Sequence, residues 1–309
     1  MGKRCSLEMN KPPKVSVLMT VYNGGDHIYE SINCVLNQTF SDWELILVDN
    51  CSTDNTHHIL SGFADKRIKI IKFSKNMGRI YALRHAFEMS SGDFLAILDA
   101  DDLARSDRFD QQVNHLSKTP TISLVASWTR LIDGKNNIIG LLRPPTEHNL
   151  IHQNLGWANI INHSSIMFRK KVALRFGGYS EDFEWGHDFS LILSMAEISG
   201  IGMIDEFLCD VRIIKSSMTR SKDYEMIVAL ENIKLFKKAS SVLSLNSKGK
   251  KLNKIAIAVA EVRYGLALLK TKSTIKGLQI ITSRIICNPS VLWRNGPAKR
   301  FFQQYFKLL

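Results

Sequence analysis

Three carboxylates fall within four residues at Asp99-Ala-Asp-Asp102, directly after the apolar run Phe94-Leu-Ala-Ile-Leu98. Carboxylates this close repel one another unless they share a cation. Hard oxygen donors of this kind suit Mg2+ or Mn2+, and one or two protein carboxylates usually leave the rest of the shell to substrate phosphate and water. The alternative reading is an acidic turn that caps the following helix, with Asp102 at its N-terminus.

The elements around the cluster decide between these readings. Val15–Val21 is a β-branched run that enters a loop at Tyr22-Asn-Gly-Gly25, and residues 26–38 place Ile28, Ile32, Val35 and Leu36 on one helical face. Further strands are expected at 44–49, 68–73 and 94–99, with helices near 55–63 and 79–90 between them. Continuously apolar strands separated by helices imply a parallel sheet covered on both faces. Ligands of such sheets sit at the carboxyl ends of the strands. Those ends carry Tyr22, Asp49 and Asp99 and would converge on one crevice. Residues 120–214 show a mixed pattern of short strands and loops rich in His, Trp and Gly. From about 222 onward the chain reads as helical and Lys-rich.

Seven segments occur in order: Val15–Asn23, Gln38–Glu44, Leu47–Asp54, Asn76-Met-Gly-Arg79, Asp99–Asp102, Arg108-Phe-Asp-Gln111 and His163–Arg169. As a set they resemble the family-2 glycosyltransferases of the GT-A fold, inverting enzymes that use nucleotide-sugar donors. The resemblance spans roughly residues 14–220. It implies an α/β fold, a Rossmann-like, mostly parallel sheet flanked by helices, followed by a mainly α-helical basic C-terminal region. The expected division is a tail over 1–13, a catalytic domain over 14–221 and the basic region over 222–309.

Carried over residue by residue, the resemblance places Thr20 and Tyr22 in the nucleotide pocket, with Tyr22 near the base. Asp49 becomes the acceptor of a uracil N–H, Arg79 a base or diphosphate contact, and Asp99 the acid facing the ribose. Asp101 becomes the ligand of Mn2+ or Mg2+, with Asp102 in support. A metal there stabilises the departing nucleoside diphosphate. Asp188 matches the base that deprotonates the acceptor hydroxyl. His163, Trp185, His187 and Arg212 fall near the acceptor or diphosphate, and Trp157 is a second candidate for stacking on a sugar. Two departures stand out. The family run Val-Asp-Asp-Gly-Ser reads Val48-Asp-Asn-Cys-Ser52 here, and His187 replaces the usual Glu before the base. Glu181 and Asp182 lie close enough in sequence to compete with Asp188.

Composition bounds the rest. The 309 residues carry 41 Lys+Arg against 29 Asp+Glu, a net charge of +12. Residues 1–210 hold 21 basic and 25 acidic side chains, whereas 211–309 hold 20 and 4. The excess positive charge is therefore separate from the acid-rich site. With aromatics such as Trp293, Phe301, Phe302 and Tyr305, it suits an anionic membrane surface. A helical bundle with solvated Lys faces is the alternative, and no nucleic-acid-binding motif accompanies the charge. Five cysteines without a CxxC pair favour a reducing compartment. No secretory signal or membrane span is expected; Ile255–Leu269 is too short and is broken by Glu261 and Arg263.

The expectation is a metal-dependent enzyme moving one sugar from a nucleotide-sugar, a UDP-sugar, to a glycan or lipid-linked glycan in bacterial cell-surface polysaccharide synthesis. It would work in the cytoplasm at the inner face of the membrane. Two alternatives compete with it. A sugar-phosphate nucleotidyltransferase would carry a basic, Gly-rich loop after the first strand, but Thr20–Asp26 has no basic residue. A non-catalytic nucleotide- or glycan-binding module would bind a donor without turnover.

Overall fold

The computed structural model describes residues 13–213, 222–270 and 273–287. The aromatic, cationic stretch 291–309 lies outside the described residues. The N-terminal part alternates as expected: β1 (Val15–Val21), α1 (Ile28–Leu36), β2 (Trp43–Asp49), α2 (Thr56–Ser61), β3 (Ile68–Lys72), α3 (Arg79–Met89) and β4 (Phe94–Ile97). After β4 come β5 (Leu103–Ala104), α4 (Arg108–Lys118), β6 (Ile122–Ile132), β7 (Ile138–Leu142) and α5 (His148–Leu155). They are followed by β8 (Met167–Arg169), α6 (Lys170–Ala173), α7 (His187–Ile198) and β9 (Gly200–Arg212). The C-terminal helices are α8 (Lys222–Val242), α9 (Ser247–Leu269) and α10 (Thr274–Cys287).

One sheet runs β3-β2-β1-β4-β8-β6-β9-β5, with β7 also paired to β6. β3, β2, β1 and β4 are parallel, and β8 returns antiparallel beside β4. The sheet is thus mixed: parallel where strands alternate with helices, and beyond β4 antiparallel except for the parallel pairing of β6 with β9. β1 shows why its strands lack polar alternation. Val15, Val17 and Met19 join the core under α1 and α4, whereas Leu18 joins the core under α3 and α7. Each side chain fully removed from water contributes about 1.5–3 kcal/mol.

The mixed stretch 120–214 differs from its sequence pattern. It holds two long strands, β6 of 11 residues and β9 of 13, paired parallel along their length. Bulges interrupt that pairing, and at one of them the exposed Asp205 and Glu206 interrupt the apolar run of β9. A bulge breaks the period of two on which strand recognition rests, so the segment reads as irregular.

α8 and α9 pack on the elements that precede them. Leu235, Phe236 and Ala239 of α8 belong to the same core as α3 and α7. Asn253 of α9 donates to the carbonyls of Gly156 (2.5 Å) and Phe236 (2.8 Å). Among the described residues no helix is long and apolar enough to cross a membrane.

Candidate active site

The loops after β1 and β2 interlock. Asn23 N–H donates to Ser52 Oγ (3.0 Å), and Asn23 Oδ1 accepts from Thr53 N–H (2.8 Å). Gly24 N–H donates to Thr56 Oγ1 and Gly25 N–H to Asp54 Oδ2. Inside this frame Asp49 is fully buried at the end of β2. Its Oδ1 accepts Ser52 N–H (2.9 Å), while Oδ2 is buried without a partner among the described residues. A carboxylate oxygen left unmet in the interior is costly unless a ligand donor reaches it. Thr20 is half-buried at the end of β1, and Tyr22 is 44% exposed in the loop beyond.

The two departures after Asp49 each have a structural reading. Cys51 stands where the family run has Gly, and it keeps φ at 66°, a left-handed backbone that Gly adopts without penalty. Asn50 donates from Nδ2 to Asn76 Oδ1 (2.9 Å) and accepts Met77 N–H on Oδ1 (2.8 Å). A carboxylate there has no proton to give Asn76. Asn50 therefore ties the end of β2 to the loop that delivers Arg79.

Arg79 opens α3 and pairs with Asp99 Oδ2 at 2.7 Å. β4 ends at Ile97, so Asp99 lies just beyond the strand, where its N–H donates to Ser164 Oγ (3.0 Å). Burial alone would raise the Asp99 carboxyl, but Arg79 and His163 outweigh it and hold it well below the usual carboxylate range. His163 Nδ1 stands 3.6 Å from Asp99 Oδ1, too long for a hydrogen bond, and its Nε2 is 2.8 Å from the Tyr179 hydroxyl.

The other two acids of the cluster diverge. Asp101 is half-buried, and burial together with the Asp99 charge raises its carboxyl. Asp102 is buried, and its Oδ1 accepts the N–H of Arg212 (2.8 Å). Arg212 departs from the diphosphate contact expected of it. Its side chain is fully enclosed and bonds the carbonyls of Asp101 and Asp133, Asn136 Oδ1 and Glu30 Oε2. It braces the acidic turn from behind.

Among the described residues no three His, Cys, Asp or Glu side chains gather as a metal cage. The donor chemistry still fits a divalent ion of the kind held mainly by phosphate and water. Burial and neighbouring acids raise the carboxyls of both Asp101 and Asp102, and both would gain from such a cation; Asp102 is also engaged by the Arg212 backbone.

Asp188 stands in the first turn of α7, whose N-cap is Gly186. Its Oδ2 accepts Asn159 Nδ2 (2.9 Å) and its Oδ1 accepts Phe189 N–H (2.7 Å). Burial raises the Asp188 carboxyl, with His163 and Arg79 partly offsetting it. The competing acids lie elsewhere: Glu181 and Asp182 are exposed, and Glu181 pairs with Arg84 at 3.0 Å. His187 is buried and packs edge-on against His163, with ring centroids 5.3 Å apart. Burial, together with Arg79 and His163, drives it well below the ordinary imidazole value, so it is neutral. Trp185 is half-buried and meets Tyr224 of α8 edge-on at 4.6 Å, whereas Trp157 packs on the core.

Sequence reasoning missed Asn159, Tyr179 and Tyr224. Each acts through a partner distant in sequence, and no local spacing marks it. The structure brings Arg79, Asp99, His163, Tyr179 and His187 into one connected cluster. Asp188 stands next in sequence to His187 at the start of α7.

A model described as glycosyl transferase family 2 matches residues 16–176, more than half of the chain. The chain belongs to this family. As a family-2 glycosyltransferase it is similar to the UDP-Glc:alpha-D-GlcNAc-diphosphoundecaprenol beta-1,3-glucosyltransferase WfgD of Escherichia coli. The two are 30% identical over 69% of this chain and 82% of that protein. Across the first five curated relatives the match spans between 43% and 82% of the relative's own length. Among solved structures, the glycosyltransferase superposes on S. aureus TarS 1-349 in complex with UDP-GlcNAc, with a TM-score of 0.64 and 16% identity. That match covers 90% of this chain and 82% of TarS 1-349. The mannosyltransferase PcManGT from Pyrobaculum calidifontis, in complex with GDP-Man and Mn2+, superposes with a TM-score of 0.60 and 19% identity. It covers 93% of this chain and 89% of PcManGT. The GT-A fold is shared with both.

Proposed function

We propose that this glycosyltransferase moves a single hexose, with inversion, from a UDP-sugar to a lipid-linked glycan acceptor, using Asp188 as the base. The observation that carries the reading is Asp188 itself, a carboxylate raised by burial and oriented by Asn159, beside His187 and within the field of the Arg79–Asp99 pair. A base of this kind accepts the proton of the acceptor hydroxyl as the oxygen attacks the anomeric carbon, and the raised value matches it better to its task. Asp49 supplies an unmet oxygen for a nucleobase N–H. Asp101 is the residue to hold Mn2+ or Mg2+, with Asp102 committed to the Arg212 backbone. A divalent ion supplies charge stabilisation to the departing diphosphate. The Mn2+ in the PcManGT complex and the lipid diphosphate in the WfgD name support the metal and the acceptor.

The same reading places the enzyme in cell-surface polysaccharide assembly, at the inner face of the cell membrane. The exposed apolar residues of α10, Ile275, Leu278 and Ile286, alongside Lys276, support contact with an anionic lipid surface.

The test is transfer from a panel of nucleotide sugars, with and without Mn2+, to a polyprenyl-diphosphate-GlcNAc acceptor. One UDP-sugar should be turned over in a metal-dependent way, and Asp188→Asn should lower turnover at least about a hundredfold while UDP still binds. Full transfer by Asp188→Asn removes it as the base. Flotation with anionic and zwitterionic liposomes, comparing wild type with Ile275→Glu/Leu278→Glu, tests the membrane contact.

A further inference from the structure

The loop that carries the base is fastened by a residue from outside the family match. Glu231, in the middle of α8, is 94% buried yet ionisable. Its Oε1 accepts Glu184 N–H at 2.7 Å, and its Oε2 accepts Trp185 N–H at 3.0 Å and Gly186 N–H at 2.8 Å. Three consecutive backbone donors therefore close on one carboxylate. Charge-assisted bonds of this type are among the strongest a protein makes, and an anion at this place also complements the N-terminal dipole of α7.

We infer that Glu231 is a positioning residue for the transfer reaction, holding the 184–186 segment so that His187 and Asp188 stand correctly at the start of α7. The connection runs through named atoms. Glu231 accepts the Trp185 N–H, which shares its planar peptide unit with the Glu184 carbonyl, and that carbonyl in turn meets His187 Nδ1 at 3.1 Å. A carbonyl only accepts, so Nδ1 carries the imidazole proton and Nε2 is a buried acceptor with no partner among the described residues. That ring packs edge-on against His163, whose other neighbours are Asp99 and Tyr179. Asp188 follows as the next residue. Close approach supports the arrangement: a Cβ at Gly186 would stand 2.4 Å from Leu235 Cδ1, so any other residue there would have to displace the buried Leu235 side chain. Gly186 in turn presents its N–H to Glu231.

The inference rests on Asp188 acting as the base, and the experiment separates the two. Glu231→Gln keeps the shape of the side chain and removes the charge and one acceptor. In the full chain, amide exchange at 184–186 should quicken at least about tenfold while exchange in β1 and β2 is unchanged. UDP affinity measured by calorimetry with Mn2+ should stay within about twofold, and kcat with UDP-glucose and polyprenyl-diphosphate-GlcNAc should fall at least about tenfold, because misplaced groups lose rate rather than donor binding. Glu231→Asp, which restores the charge on a shorter arm, should recover part of kcat. Asn253→Ala, which cuts a different tie between the C-terminal helices and the body, should lower Tm without changing kcat of the folded protein. Unchanged exchange at 184–186, or quickened exchange with unchanged kcat, overturns the inference. If wild type transfers nothing to that acceptor, the acceptor reading fails. Exchange and the His187 imidazole resonance, expected to move in Glu231→Gln, then decide the positioning role.

Discussion

Between β1 and α3 the residues of the site are tied to one another across neighbouring loops. Asn23 is bonded to Ser52 and Thr53, Gly24 to Thr56, Gly25 to Asp54, and Asn50 to Asn76 and Met77. Between Asn159 and Glu231 the ties converge on a few side chains: Asn159 on Asp188, Tyr179 on His163, and Glu231 on all three N–H groups of the 184–186 segment. Bonds spread over several residue pairs make the proposed donor half a preformed cradle, in which one lost contact leaves the others. The proposed acceptor half gathers its contacts on a few side chains, Glu231 and Asn159 among them, and a lesion in one of these should propagate to the chemistry. The two halves should therefore fail differently.

The largest expected effect lies in the acceptor half. Asp188→Asn should lower kcat about 10²–10⁴-fold, the usual worth of a positioned general base, with UDP affinity unchanged. The pH profile sharpens this. Burial raises the Asp188 carboxyl above its ordinary 3.8, with His163 and Arg79 only partly offsetting it. A base works deprotonated, so kcat should be full above the raised value and fall as pH drops through it. The limb should vanish in any residual activity of Asp188→Asn. If that variant loses donor affinity as strongly as rate, the two halves are not separable.

The complementary lesion is Asp49→Asn. Its Oδ2 is buried without a partner among the described residues, and an amide NH2 turned there would oppose a nucleobase N–H. UDP affinity should fall about tenfold or more, as for loss of a buried hydrogen bond to a charged group, while kcat at saturating donor changes little. Calorimetry with UDP and steady-state kinetics read the two quantities separately.

Much of the donor half was legible in the sequence, for the same reason that it is self-contained. Its strands are continuously apolar, its helices have one apolar face, and its polar residues follow strand ends within a few positions. The acceptor half was legible only where the family resemblance reached, at His163, His187 and Asp188. Asn159 and Glu231 carry no local mark, since an Asn in a loop and a Glu in a Lys-rich helix look like solvated residues until the partner is placed beside them. Arg212 illustrates the converse. A late Arg at the end of a strand matched a phosphate contact by position, but burial committed its donors to the Asp101, Asp133, Asn136 and Glu30 oxygens. Local pattern reports which residue types arrive at the crevice and cannot report which face of the backbone they bond.

A third lesion tests whether the donor half is stable independently of its chemistry. Glu44 is buried under β1–β3, where it accepts from Ser16 Oγ (2.6 Å), Ser91 N–H and Oγ (both 2.7 Å) and Lys69 Nζ (2.7 Å). Burial would raise its carboxyl, but Lys69, Ser16 and Ser91 outweigh it and leave it below the ordinary 4.5. A lowered folded-state value means the stabilisation is complete above the unfolded value and is lost as pH falls through the folded one. Glu44→Gln should cost about 2 kcal/mol at neutral pH, shrinking as the pH drops below that of a free carboxylate. Urea unfolding at pH 7 and in the acid range measures both, and an equal loss at every pH would show that packing rather than charge holds this corner.

The smallest effect has the opposite sign and lies inside the cradle itself. Cys51 occupies a left-handed backbone, φ 66°, in the turn that follows Asp49. An L-residue with a Cβ costs roughly 1–2 kcal/mol in that conformation, and glycine does not. Glycine also loses more backbone freedom on folding, which returns part of the gain. The Cys51 thiol has only a 3.6 Å contact with the Ser74 carbonyl to lose, a weak bond even for sulfur. Cys51→Gly should therefore raise stability by a net of about 1 kcal/mol in urea unfolding, with UDP affinity unchanged, because the Ser52 N–H still meets Asp49 Oδ1. A stabilised variant that binds UDP more weakly would mean that the strained turn holds Asp49 in its binding geometry. The redundancy of the loop network would then be insufficient by itself to position that carboxylate.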